Sequence, residues 1–149
     1  MISASEFKFV TDKTLELVGF KEDVVLTRTD ESGVYVCLKN GEAKIGAESK
    51  TFAARAAMLL ALNMKKGKGE FEIRQTPAFD TCGVLFDVSS GSAMRVEYIK
   101  KFLEHMAALG MNAMYFYMED MYELEGYPQF GYMRGRYTLS ELHEIDDYA

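Results

Sequence analysis

The chain is short of the features that mark several large function classes, and each shortage excludes something. Basic residues are outnumbered, 17 Lys and Arg against 23 Asp and Glu, for a net charge of −6. A nucleic-acid surface needs a basic stripe, so no nucleic-acid partner is expected. No apolar run reaches the roughly 18 residues of a membrane span, so no membrane partner is expected either. The opening MISASEFKFVTDK lacks the basic start and continuous apolar stretch of a signal peptide. There are only two cysteines, Cys37 and Cys82, in unrelated strand-like segments. Without a pairing pattern they read as reduced, buried thiols of a cytoplasmic protein. The two histidines, His105 and His143, have no second histidine or cysteine at metal-ligand spacing and read as ordinary helix residues. Walker, GxGxxG and GxSxG motifs are all missing, so no metal or cofactor is expected, and nucleotide binding and serine-hydrolase chemistry have no support.

What is present is the material of a folded domain. Hydrophobic residues make up 48% and charged residues 27% of 149 positions, enough for one compact domain or two small ones. Phe7, Phe9 and Val10 form a short apolar run, and Thr14 to Val18 alternates weakly, which predicts a strand. Val24, Val25 and Leu26 predict another. From Val34 to Ile45, two alternating segments, VYVCLK and EAKI, flank Asn40-Gly41. That dipeptide accepts the positive φ angles of a two-residue type I′ turn, so the segment predicts a β-hairpin. Ser49 is placed to cap a helix over 50–65, with Phe52, Ala56, Leu59, Leu60 and Asn63 on successive turns. A strand returns at 70–75, and Pro77 breaks the chain.

The second half changes character. GVLFDV at 83–88 and NAMYFY at 112–117 are continuous apolar runs of the kind buried on both faces of a parallel sheet. Between them, Val96, Ile99, Phe102, Leu103, Met106 and Leu109 fall on one face of a helix that Gly110 ends. Met58, Met106 and Met114 fit core positions. A loop rich in aromatics runs from Met121 to Tyr137. Thr138 and Glu141 then form a capping box for a last helix. Strand–helix–strand–helix is the repeat of a βα barrel, which in full needs eight units and about 250 residues. The expected fold class is therefore α/β: a small α+β domain at 1–79, then two βα units of an incomplete (β/α)8 TIM barrel at 80–149.

In βα barrels the chemistry sits at the C-terminal ends of the strands. Asp87 ends the first candidate strand, and Glu119 and Asp120 follow the second. Such carboxylates could hold sugar hydroxyls or act as acid and base; equally, Asp87 could cap a loop while the other two sit in solvent. Tyr122, Tyr127, Phe130, Tyr132 and Tyr137 lie near Arg134 and Arg136. Aromatic faces stack on sugars and arginine forks orient hydroxyls, but the same aromatics could simply pack the loop down.

Two stretches resemble glycoside hydrolase family 20, the β-N-acetylhexosaminidases. TCGVLFDVSS with RVEYIKKFLEHMAALGMNAMYFYMED is similar to that family's first βαβ unit. The shared features are a glycine separated by three residues from an apolar-flanked aspartate, the pattern V-E-x-I-K-x-x-x-x-x-M-A-x-x-x-x-N, and a strand ending in acids. MYELEGYPQFGYMRGRYTLSELHEIDDYA is similar to the following loop and helix in a bacterial subgroup, and the first half resembles the family's small α+β domain. The resemblance implies exo-hydrolysis of terminal N-acetylglucosamine or N-acetylgalactosamine, with the substrate's acetamido group as nucleophile, an exception to the two-carboxylate scheme. It implies an N-acetylated glycan as the partner of the full-length enzyme. It also aligns Asp87, Glu119 and Asp120 with acidic positions near the sugar. No segment matches the family's catalytic Asp-Glu pair, so no catalytic residue is assigned, and these residues alone are expected to be inactive. Cys82 stands where the family has a substrate-holding arginine, and Ser90 and Gly91 where the subgroup has arginine and asparagine. The substrate-binding candidates are Asp87, Glu119, Asp120, Tyr122, Arg134 and Arg136.

Two other readings are available from the same residues. One is a non-catalytic module that forms a homo-oligomer through its exposed barrel strands. Val84, Leu85, Phe86, Met114 and Phe116 would each contribute roughly 1.5–3 kcal/mol on burial there. The other is a small sugar-binding protein that uses the Tyr-Arg loop.

Overall fold

The computed structural model describes residues 2–91 and 93–149. The chain divides into two compact units, one of residues 1–82 with 104–112 and one of residues 83–103 with 113–149.

The first unit begins with α1 (Ala4–Leu17), not with the strand the apolar pattern suggests. Ser3 and Glu6 form a capping box that satisfies the helix's first amides. Its buried stripe is Phe7, Thr11 and Thr14, in which two of three side chains are hydroxylated. Those hydroxyls donate to the carbonyls of Phe7 and Val10 one turn back, at 2.9 and 2.8 Å, and so can be buried. A hydropathy pattern sees only the phenylalanine.

Strands β1 (Val25–Thr29), β2 (Val34–Lys39) and β3 (Glu42–Ala47), helix α2 (Lys50–Lys65) and strand β4 (Phe71–Gln75) follow. The sheet order is β1-β3-β2-β4, with β1 parallel to β3 and the other pairs antiparallel. The hairpin forms as expected: Asn40 and Gly41 take φ of 50° and 79°, the left-handed pair of a type I′ turn. Ser49 caps α2 by accepting from the Phe52 amide at 3.2 Å. Helix α2 lies on β2 and β3, with α1 against it. Ala53, Ala56, Ala57 and Leu60 meet Val34, Val36, Leu38, Ala43 and Ile45 in one core. The alanines let helix and sheet approach closely. On the opposite face Tyr35 is also buried, under the Arg74 guanidinium, 4.3 Å from the ring centre.

The second unit holds β5 (Gly83–Asp87), β6 (Ala113–Tyr117), α4 (Leu139–Tyr148) and the first turns of α3 (Val96–Leu109). The strands pair in parallel, Gly83 opposite Ala113 and Asp87 opposite Tyr117. Gly83 is required by contact: a Cβ there would fall 1.8 Å from the Ala113 carbonyl oxygen. Val88, Ile99, Met121, Tyr137 and Ile145 form the core, with Phe86, Met114 and Phe116 against it. The Phe86 and Phe102 rings meet edge to face at 4.7 Å.

Burial on both strand faces, expected from the continuous apolar runs, is not what β5 and β6 show. Val84, Phe86, Met114 and Phe116 are half-buried, while Leu85, Tyr115 and Tyr117 are exposed. This sheet has two strands, and its helices cover one face. Cys82, expected to be buried, is exposed; Cys37 is buried, and both thiols are free. Among the described residues no helix is long and apolar enough to cross a membrane.

Candidate functional site

The C-terminal ends of β5 and β6 bring the acidic residues together. Parallel register sets Asp87 beside Tyr117, and the Val88 amide extends the ladder by donating to the Tyr117 carbonyl at 3.0 Å. Asp87 Oδ1 accepts from the Ser89 amide at 2.9 Å and the Ser89 hydroxyl at 2.6 Å, and Oδ2 accepts from the Ser90 hydroxyl at 2.8 Å. Asp87 thus caps its loop. The Ser89 hydroxyl above all, then that of Ser90, holds its carboxyl below the usual carboxylate range, so it stays ionised. Its side chain remains open to solvent.

Glu119 takes a left-handed φ of 48° and accepts a hydrogen bond from the Tyr117 hydroxyl at 3.2 Å. That bond, with the charges of Glu119 and Asp87, raises the Tyr117 phenol above its ordinary pKa. Asp120 lies 3.5 Å from Arg134 Nη2, and its Oδ1 is buried without a hydrogen bond among the described residues. Arg134 also donates to the Ser89 carbonyl, tying the loop after β6 to the loop after β5.

Tyr122 and Arg136 belong to the loop itself. Tyr122 packs edge to face on Phe130 at 5.3 Å, and Arg136 donates to the carbonyls of Pro128 and Phe130. The loop is closed at its base by amides of Glu123 and Tyr137 donating to the carbonyls of Tyr137 and Met121, each at 2.9 Å. The six candidates therefore fall into three sets: Asp87 and Glu119 open at the strand ends, Asp120 and Arg134 as a tie, and Tyr122 and Arg136 as loop structure. Sequence reasoning missed Tyr117 and Ser89, and took Ser90 only as a departure from the subgroup's pattern. Tyr117 was within reach, because strict alternation along β6 puts it on the same side as Asp87 once the register is known.

A groove of about 370 Å³ runs between the start of α3 and the start of α4, lined in part by Met94, Arg95, Tyr137, Glu141 and Glu144. Glu141 is committed to capping α4, and Glu144 pairs with Lys100 at 2.7 Å. No group of three or more His, Cys, Asp or Glu side chains among the described residues could hold a metal ion.

No protein-family model matches the sequence, and no curated protein matches it. Solved structures do match. An exo-β-N-acetylglucosaminidase of glycoside hydrolase family 20 from Vibrio harveyi, in complex with N-acetylglucosamine, is 16% identical with a TM-score of 0.72. The match covers 98% of this chain and 29% of that one. A chitobiase from Flavobacterium johnsoniae is 22% identical with a TM-score of 0.72, over 99% of this chain and 28% of that one. A further family 20 β-N-acetylglucosaminidase is 18% identical with a TM-score of 0.74, over 99% and 34% respectively. This chain spans about a third or less of the length of the structures it matches, and over nearly all of its own length it has the mixed α/β fold found in these family 20 β-N-acetylglucosaminidases.

Proposed function

We propose that this chain is part of a glycoside hydrolase of family 20. In this reading residues 1–79 form its small α+β domain and residues 80–149 the first two βα units of its (β/α)8 barrel. The whole enzyme removes terminal N-acetylglucosamine or N-acetylgalactosamine with the substrate's acetamido group as nucleophile, and works in the cytoplasm. The observation that carries the reading is the match in fold over 98–99% of the chain to three such enzymes, joined to the sequence pattern at 82–120. Asp87 and Glu119 contact sugar hydroxyls. Asp120, Arg134, Tyr122 and Arg136 shape the loop that borders them. Residues 1–149 alone release no sugar.

The test is hydrolysis of β-linked N-acetylglucosamine and N-acetylgalactosamine substrates, by the protein as its gene encodes it and by residues 1–149 purified alone. Release by the first and none by the second is the expected result. An encoded protein inactive on both sugars overturns the hydrolase reading, and mutation-sensitive release by residues 1–149 overturns their inactivity.

One observation favours a second reading. Leu85, Tyr115 and Tyr117 line one exposed face of the β5–β6 sheet, and a two-stranded sheet has open edges that favour pairing. In this reading residues 1–149 associate with themselves through that face. Sedimentation showing only monomer at high concentration would rule it out.

A further inference from the structure

Strands β5 and β6 are tied together at their starts by one side chain. Asn112, the residue before β6, accepts from the Cys82 amide through Oδ1 and donates to the Asp80 carbonyl through Nδ2, both at 2.8 Å. Its own amide donates to the Cys82 carbonyl, again at 2.8 Å. An asparagine side chain carries an acceptor and a donor side by side, as a peptide unit does. Here it extends the parallel ladder by one rung, onto the segment that leads into β5.

These groups are open to water, so the bonds matter less for their energy than for the alignment they require. Oδ1 and Nδ2 meet the Cys82 amide and the Asp80 carbonyl together when Gly83 lies opposite Ala113, and a slipped strand would break both. The next position excludes the alternatives. A Cβ at Gly83 would fall 1.8 Å from the Ala113 carbonyl oxygen. A slip of one residue would bring Cys82 or Val84, each with a side chain, to that close approach. At the far end the same register sets Asp87 opposite Tyr117, whose hydroxyl donates to Glu119 at 3.2 Å. That end lies roughly 16 Å along the strand from Asn112.

We infer that Asn112 is a positioning residue: by clasping residues 80–82 it fixes β5 against β6 in one register, and so sets Asp87 beside Tyr117 and Glu119. It touches neither carboxylate and acts through the strands. The register role stands on the hydrogen bonds and the close approach at Gly83; its consequence for cleavage rests on the hydrolase reading. Aspartate at this position would keep the acceptor for the Cys82 amide but turn a second oxygen toward the Asp80 carbonyl, so half of the clasp would be lost.

The test is amide hydrogen exchange in Asn112→Ala and Asn112→Asp, on the protein as its gene encodes it. The amide to watch is Val88, which donates to the Tyr117 carbonyl at the far end of the pair. In Asn112→Ala it should exchange about tenfold faster or more, the size expected for two lost hydrogen bonds. Asn112→Asp should fall between that variant and wild type, and it carries the test if Asn112→Ala does not fold. The Val34–Ala47 hairpin should keep its protection in both. Loss confined to the Cys82 amide overturns the register role, and so does loss shared equally by the hairpin, which is global unfolding. Hydrolysis of a β-linked N-acetylglucosaminide by the folded variants reads the consequence: kcat/KM should fall roughly ten- to a hundredfold in Asn112→Ala, as for a misplaced site. An unchanged kcat/KM in an active protein overturns the positioning of the carboxylates. A wild-type protein that cleaves no such sugar overturns the hydrolase reading instead, and the exchange result still decides the register.

Discussion

In the first unit a four-stranded sheet lies under two helices, and its inward side chains meet a row of alanines with almost no exposure. In the second, a two-stranded parallel sheet has helices over one face, while Leu85 on the other is 70% exposed. Both sheets bury apolar side chains within their own unit, yet the second leaves Leu85 and Tyr115 of its other face exposed. An antiparallel hairpin can finish a small core locally. Parallel strands are written for two covered faces, and two βα units supply one.

The sharpest way to break the first unit is inside its core. Leu60→Ala or Ile45→Ala, each fully buried, should destabilise it by about 2–5 kcal/mol in chemical denaturation. Neither should alter β5–β6 amide exchange beyond what global unfolding carries. Next is Gly83→Ala, which forces a methyl against the Ala113 carbonyl and should cost about 1–3 kcal/mol. Its loss of protection should appear in β5 and β6 while the hairpin stays protected. Thr138→Ala removes the cap of α4 and should cost about 1 kcal/mol, read as fraying of that helix alone.

Much of the first unit was legible because its signals are local. Asn40-Gly41 names its turn, and Ser49 names the start of α2, which spans the expected residues. Helix α1 was not legible as apolar periodicity, because Thr11 and Thr14 are buried through hydrogen bonds to their own helix. Its Ser3–Glu6 box was the available signal. In the second unit the elements were legible, but the half-exposure of β5 and β6 was not, since it depends on what lies beside them. The carboxylates of the candidate site were proposed from their place at strand ends. Their partners were not, because the Asp87 contacts to Ser89 and Ser90 are a matter of loop geometry. The contacts of Arg136 were hidden for the same reason: its guanidinium holds two loop carbonyls.

Two smaller effects sharpen the comparison. Because its serine contacts lower the Asp87 pKa, this carboxylate contributes stability that is fully present above its unfolded value of about 3.9. That contribution is lost as pH falls through the lower folded value. Acid titration of Asp87→Asn should lack this component, and an unchanged acid transition would show the contacts to be without effect. Smallest of all, Leu85→Ser in residues 1–149 should change stability by less than about 0.5 kcal/mol, as for an ordinary surface position. In a protein whose further strands cover that face, the same change should cost about 1–3 kcal/mol. A large penalty in the short chain would mean the face is already covered, as self-association requires.

The two-residue turn at Asn40-Gly41 also sets an order of events. A hairpin with so short a connection closes in about 1–10 μs. Pairing of β5 with β6 must wait for the intervening α3 crossover to close a far longer loop. On a ribosome the hairpin side also emerges first. The hairpin and the strands and helix around it should therefore be formed while β5 and β6 are still being made. Stalled nascent chains ending after β4 and after β6 would show it: protease resistance of the hairpin already present in the shorter chain supports this order, and resistance that appears only in the longer one refutes it.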